Sequence, residues 1–271
     1  MEHKYLHILN TYFKKDMNKI RKLYPALSFK QIFEKLNTEN KIYNVDKIYE
    51  FLKLSNIELI LQQDPEYPKQ LKEIHNPPLG IYVKGNKYLL NQQYIFLAIV
   101  GTRQCTPYGI KALEIILQDL QGYSIATISG LAYGIDTYVH KFSIKNNLPT
   151  IAVLGGGINK LYPKINQELS NQIIQKNGCI ISEYDPNSRP EQHHFLERNR
   201  IISGLSRGII LIEASNRSGS LNTVNTGLDQ NKDIFALPNS IFAQKGKGTN
   251  QLIKEGAKPI LSGQDIINEY F

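Results

Sequence analysis

The chain is short of several features, and each shortage excludes something. Two of its 271 residues are cysteine, Cys105 and Cys179, and nothing in their spacing pairs them. A disulfide scaffold is thereby excluded, and two reduced thiols in a cytoplasmic protein are expected. Long apolar runs are missing: stretches such as Ile95–Val100 and Ile209–Ile212 are far too short to cross a bilayer. The opening Met1-Glu2-His3-Lys4 leads into no signal peptide, so no membrane association is expected. Glycine is absent from residues 1–56. The triplet Gly155-Gly156-Gly157 is not G-x-G-x-x-G, and no acidic residue follows a strand at the ribose-recognition spacing. NAD binding in the usual mode is therefore unsupported. Neither the phosphate-binding G-x-x-x-x-G-K-[ST] nor the zinc-binding H-E-x-x-H occurs.

What is present is an ordinary globular composition, 41% hydrophobic and 21% charged, carrying a net charge of +8. A basic surface attracts polyanions, which brings nucleic acid in as a candidate partner. Residues 1–90 hold 15 basic and 10 acidic side chains, and the remainder 17 and 14. The excess is densest in the N-terminal third. There, apolar residues recur at helical spacing: Leu6, Leu9 and Phe13, then Ile20 and Leu23, then Ile32, Phe33 and Leu36, then Ile48, Phe51, Leu52 and Leu54. Ser28 suits an N-cap, and Pro25 separates the second helix from the third. The pattern predicts four short helices in a small bundle over 1–56. A connector over 57–94 follows, broken by Asp64-Pro65-Glu66-Tyr67-Pro68 and Asn76-Pro77-Pro78, with a short strand at Ile81–Asn86.

From 95 to 271 the chain alternates. Apolar β-branched runs at Ile95–Val100, Ser124–Ile128, Thr150–Leu154, Cys179–Ser182, Gly208–Ile212 and Asp233–Leu237 are separated by helical patterns near 108–121, 133–145, 165–176, 196–204 and 219–230. Continuous apolar strands linked by helices predict an α/β protein with a doubly wound, mainly parallel sheet of the extended Rossmann kind.

In such a sheet, ligands bind at the carboxyl ends of the strands. Those ends carry Gly101-Thr102-Arg103, Ser129-Gly130 through Asp136, Gly155-Gly156-Gly157 with Tyr162-Pro163-Lys164, Glu183-Tyr184 with Arg198-Asn199-Arg200, and Glu213-Ala214 with Arg217-Ser218-Gly219-Ser220. Glycine brings backbone N–H groups close to a ligand, a following helix adds free donors, and arginine forks fit phosphate oxygens. Several cradles in a row suit a chain of phosphates better than one mononucleotide. Tyr133, Tyr162 and Phe195 lie near these loops as candidate stackers. Asp136 reads as a first-turn residue balancing the helix dipole. His193-His194, beside Glu191 and Glu197, reads as a surface pair with no third residue spaced for a metal. Glu183 and Glu213 both end strands, which leaves a paired-carboxylate enzyme as a second reading.

These blocks, together with Ala152-Val153-Leu154, Arg198–Ile202 and Lys254-Glu255-Gly256-Ala257-Lys258, resemble the DNA-processing protein A family (DprA/Smf) in order and spacing from about residue 57 to 271. The resemblance implies a non-enzymatic single-stranded DNA-binding protein that protects incoming DNA and loads the RecA recombinase in natural transformation. It also implies a homodimer formed through the Rossmann part, with no cofactor, metal or catalytic residue. By position, the DNA-binding residues it implies are Arg103, Lys164, Ser129, Gly130, Gly156, Arg198, Arg200, Ser218 and Gly219. Tyr133 stands where the family usually has a basic residue, and Leu196 where it often has proline. The winged helix that many members carry after the Rossmann part is not expected here. The bundle resembles the family's sterile-alpha-motif-like domain. The alternative is a Rossmann-type nucleotide-binding or nucleotide-cleaving enzyme, of the phosphoribohydrolase kind. Against it, Arg217–Thr223 lacks the glutamate that such enzymes carry in the comparable block.

Overall fold

A computed structural model describes residues 1–39 and 41–271. Four helices come first: α1 (Glu2–Tyr12), α2 (Met17–Leu23), α3 (Phe29–Leu36) and α4 (Val45–Leu54). Ser28 caps α3 as expected, accepting from Gln31 N–H while the Gln31 side chain accepts from Ser28 N–H. Strand β1 (Glu58–Leu61), the one-turn α5 (Lys69–Lys72) and β2 (Gly80–Gly85) follow. Then come β3 (Ile95–Val100), α6 (Pro107–Asp119), β4 (Ile125–Ser129), α7 (Ile135–Lys145), β5 (Thr150–Leu154), α8 (Gln167–Gln175) and β6 (Cys179–Ser182). The chain continues with α9 (Gln192–Leu205), β7 (Gly208–Leu211), α10 (Gly219–Asp229), β8 (Asp233–Ala236), α11 (Lys247–Lys254), β9 (Lys258–Pro259) and α12 (Gln264–Tyr270).

The strands form one sheet in the order β1-β2-β6-β5-β4-β3-β7-β8-β9. From β6 to β9 every pairing is parallel; β2 joins β6, and β1 joins β2, antiparallel. The α/β class and mainly parallel sheet match the reading from sequence. Strand β1, the two-residue β9 and helices α5, α11 and α12 go beyond it.

Because successive strand residues point to opposite faces, the sheet splits its side chains between two layers. Ala98, Val100, Ile128 and Ile209 pack with Ile201, Ile202, Leu205 and Val224 of α9 and α10. On the other face, Leu97, Ile99 and Ile210 pack with Leu113, Leu117 and Val139 of α6 and α7. The N-terminal bundle also covers this second face: Leu6, Leu9, Ile20, Ile32 and Leu52 share one core with Tyr82, Leu154 and Ile180. The expected division after residue 56 falls in the turn between α4 and β1, and apolar packing runs across it. Among the described residues, no helix is long and apolar enough to cross a membrane.

Candidate nucleic-acid cleft

Strand β3 has β4 on one side and β7 on the other. The crossovers diverge there and open a crevice at the carboxyl ends. It holds a cleft of about 860 Å³, walled by Gly101–Gln104 after β3, Ala132 and Asp136 after β4, Ser215–Ser220 around the start of α10, and the first two turns of α9.

The Arg103 loop is pinned from both sides. Thr102 N–H donates to the Glu213 carbonyl (2.8 Å) and Ile135 N–H to the Thr102 carbonyl (3.2 Å). Gly134, at φ +74°, lies so close that a Cβ would strike the Thr102 carbonyl and the Arg103 backbone; only glycine combines that conformation with that approach. Held this way, the exposed Arg103 guanidinium lies 5.6 Å from the centre of the Phe195 ring. A row of aromatics extends from it: Tyr162 is 5.9 Å from Phe195, and Tyr133 is 6.2 Å from Tyr162 and edge-on to it. Tyr133 and Tyr162 are 44% and 47% exposed.

Beneath this surface is a buried clamp on Gly130. The Asp136 carboxylate accepts from Gly130 N–H (3.1 Å), and Arg198 donates to the Gly130 carbonyl (2.8 Å) and to the Val153 carbonyl. Burial pushes the Asp136 pKa up, against the pull of Arg198. Burial pushes the Arg198 pKa down to about 10, partly offset by Asp136 and reinforced by Arg103. Asp136 is in the first turn of α7, as expected, and also fixes the loop that precedes it.

At the start of α10, Ser218 and Ser220 share a hydroxyl hydrogen bond of 2.7 Å. Gly219 differs from the other glycines of the site. No atom lies within 4 Å of where its Cβ would sit, and its φ is not positive. Packing gives no reason for glycine there, whereas close approach of a ligand to the free N–H groups of the first turn does.

The nine residues singled out from sequence separate on this geometry. Arg103, Arg198, Ser218 and Gly219 line the cleft. Ser129 is turned into the sheet, its hydroxyl donating to the Ile99 carbonyl (2.7 Å) with no exposed surface. Gly130 has both peptide groups committed to the clamp. Gly156 is buried, accepts from the Ser182 hydroxyl (2.7 Å), and would meet Pro190 at 3.0 Å if it carried a Cβ; it shapes the wall from behind. Arg200 is outside the cleft and donates to Glu183 (2.5 Å). Lys164 is exposed, two residues beyond the cleft residue Tyr162 and outside the lining.

The paired-carboxylate reading fails on topology. β6 and β7 are four strand spacings apart in the sheet, about 19 Å. Glu183 binds Arg21 and Arg200, and Glu213 accepts from Thr106 N–H (2.8 Å) and the Thr106 hydroxyl (2.6 Å) ahead of α6. A G-x-S-x-G nucleophile elbow is not expected from the sequence, yet Gly204-Leu205-Ser206-Arg207-Gly208 has that spacing. It joins a helix to a strand instead, and the Ser206 hydroxyl is buried and donates to the Ser203 carbonyl (2.9 Å). The surface-pair reading of His193-His194 holds for His193 alone. His194 is buried, stacks on Tyr184 at 4.0 Å and accepts Glu191 N–H at Nδ1 (3.3 Å). This also brings Glu191 within 4.8 Å of both histidines, a third ligand atom that sequence spacing did not offer.

Sequence reasoning missed Gln104, Pro190, Gln192 and Ser215 in the lining. Pro190 and Gln192 were legible only by starting α9 earlier. Its first turn is closed by a reciprocal cap between Glu191 and His194, residue types outside the usual capping set.

The family model for DNA recombination-mediator protein A matches residues 58–271. The DNA processing protein DprA of Streptococcus pneumoniae is 41% identical over 221 residues, covering 82% of this chain and 76% of the relative. That of Bacillus subtilis is 39% identical over 204 residues, 75% and 68% of the two chains. The crystal structure of the Streptococcus pneumoniae protein superposes with a TM-score of 0.79 at 33% identity, covering all of this chain and 94% of that one. DprA from Helicobacter pylori, whose structure was described for its single-stranded DNA binding mode, superposes with a TM-score of 0.70 at 29% identity, covering 79% and 94%. On sequence and fold together, the chain belongs to the DNA recombination-mediator protein A (DprA) family.

Proposed function

We propose that the cleft binds single-stranded DNA through its phosphates, and that the chain acts as a recombination mediator that protects a strand and delivers it to RecA. The observation that carries this reading is the exposed Arg103 guanidinium seated on Phe195 at the head of an aromatic row, in one cleft with the open backbone of Gly219. A cation beside bare N–H donors fits phosphates, and exposed rings accept bases of any sequence by stacking. Tyr133 fits this row as a stacker in place of the basic residue usual at its position. Replacing Arg103 by alanine is expected to weaken oligo-dT binding and lower the slope of log K against log salt by about 0.7, the share of one single-strand phosphate. An unchanged slope in a fluorescence titration would remove the site from this cleft.

Binding without bond cleavage is favoured because the strand-end carboxylates are both committed inside the fold. Incubation with nucleoside monophosphates or NAD, followed by chromatography, tests this: release of free base overturns it. Delivery to RecA and pairing of two copies through the sheet part rest on family membership. Sedimentation with and without a short strand, and then with RecA, reads both.

A further inference from the structure

Basic side chains are densest in one segment of the bundle. Lys14-Lys15-Asp16-Met17-Asn18-Lys19-Ile20-Arg21-Lys22 carries five basic residues and one acidic residue. Most acids elsewhere in the bundle are taken: Asp46 by Lys4, Glu34 by Lys30, Glu39 by Lys41, and Glu2 by the N–H of Phe29. Arg21 is also committed, to Glu183 and the Pro77 carbonyl. Lys15, Lys19 and Lys22 are exposed and make no ion pair among the described residues. Lys15 lies in the 3-10 turn Lys14–Asp16 that leads into α2, and Lys19 and Lys22 follow at i, i+3 on α2, whose Ile20 is turned into the core.

The segment reaches the rim of the cleft through Lys14 and Lys15, and Lys19 and Lys22 lead away from it along the chain. Lys14 donates to the Ser188 hydroxyl (3.4 Å), and Pro190, two residues on and within about 7 Å along the chain, lines the cleft. The segment from Ser188 to His193 is a shared rim, with the cleft on one side and a cavity of about 610 Å³ bordered by Lys14, Lys15 and Arg21 on the other. The acids of that cavity are largely engaged: Glu183 by two arginines, Asp185 by the Thr11 hydroxyl (2.7 Å), and Glu197 by the Tyr184 hydroxyl (2.8 Å). Glu191 caps α9.

We propose that Lys15, Lys19 and Lys22 form a second phosphate-contacting ridge, which takes up single-stranded nucleic acid leaving the cleft over the Ser188–Pro190 rim. The inference rests on the reading of the cleft as a single-strand site and adds a track beyond it. A strand short enough to be held by the cleft alone does not reach the ridge, and a longer one does.

The test uses the full chain, the Lys15→Gln/Lys19→Gln/Lys22→Gln variant, and labelled oligo-dT of about 6 and about 30 nucleotides, titrated by anisotropy over a range of salt. The variant is expected to lower the salt slope on the long strand by about two, three contacts at about 0.7 each. Its affinity for the short strand should stay within about twofold of the parent, which also verifies the fold. An unchanged long-strand slope overturns the ridge, as does an equal loss on both strands. If the parent chain binds neither strand, the cleft reading fails and takes the ridge with it. If Arg103→Ala weakens both strands while the triple variant matches the parent, the ridge alone fails.

Discussion

Replacing Arg198 by methionine keeps most of the side-chain volume and removes the buried guanidinium that clamps Gly130. Two carbonyls, of Gly130 and Val153, lose their donor, and the buried Asp136 carboxylate loses the charge that opposes its desolvation. Removing one member of a buried charged pair costs about 3–5 kcal/mol. At about 2–4 °C per kcal/mol for chains of this order, Tm should fall by about 6–20 °C. The loss should also depend on pH. Burial already raises the Asp136 pKa above the ordinary carboxylate value, and without Arg198 it rises further. A carboxyl with a raised folded pKa holds a proton that the unfolded chain releases. Stability is therefore greatest below the unfolded pKa and declines as pH rises towards the folded one. The deficit of Arg198→Met should be larger at pH 8 than at pH 5, by about 1.4 kcal/mol for each unit of added shift that lies between those pH values. Asp136→Asn removes the charge and retains an acceptor for Gly130 N–H, so the double variant should recover part of the loss. The assay is thermal melting of the parent, both single variants and the double variant at the two pH values. A pH-independent deficit with strictly additive variants would refute the clamp.

Three further outcomes separate packing from binding. Gly219→Ala meets open space, so its melting temperature should hold or rise slightly, the helix gaining about 0.5–1 kcal/mol, while oligo-dT affinity falls; equal affinity would show that no ligand approaches that backbone. Gly134→Ala must place a Cβ at φ +74° against the Thr102 carbonyl. It should lose about 2 kcal/mol or more of stability in chemical denaturation and lower strand affinity with it. Tyr162→Ala should weaken oligo-dT by about 1–3 kcal/mol with an unchanged salt slope, since stacking releases no counterions; a changed slope in the titration would argue that the ring organises cations instead of bases.

The central strands were legible because each is buried on both faces and reads as an unbroken apolar run, as in Ile95–Val100. Strand β1 was not. Glu58-Leu59-Ile60-Leu61 follows the apolar spacing of α4 almost without interruption, and what separates them is a backbone turn at Asn56, φ +52°, for which the side chains give little signal. Strand β9 is two exposed residues, Lys258 and Pro259, held by their pairing with Phe235 and Ala236. The place of the candidate cleft was legible for a similar reason: the carboxyl ends of parallel strands open a crevice where the crossovers diverge, whatever the sequence. Which polar groups remain free there was not, because the groups that consume them are remote in the chain. Ser129 is spent on Ile99, Arg200 on Glu183, and Gly156 on Ser182 and Pro190. A serine or arginine in a strand-end loop carries the same letter whether its hydrogens face a ligand or a carbonyl 30 residues away.

The net charge takes on a different meaning once its location is known. The cleft itself holds little of it: Arg103 is exposed, Arg198 is buried, and Asp136 offsets part of their field. On the proposed reading its hold on a strand combines one exposed cation with backbone donors and rings, and salt weakens the ring contacts little. The unpaired lysines Lys15, Lys19 and Lys22 stand beyond the rim, where attraction is strong at low salt and screened within about 8–10 Å near physiological ionic strength. Salt therefore divides the molecule. At high ionic strength a strand should be held by the cleft alone, and affinity should cease to depend on strand length. At low ionic strength the ridge should lengthen the bound segment and raise the association rate by steering. A length dependence that survives high salt would contradict this division, since no part of the ridge would then be electrostatic.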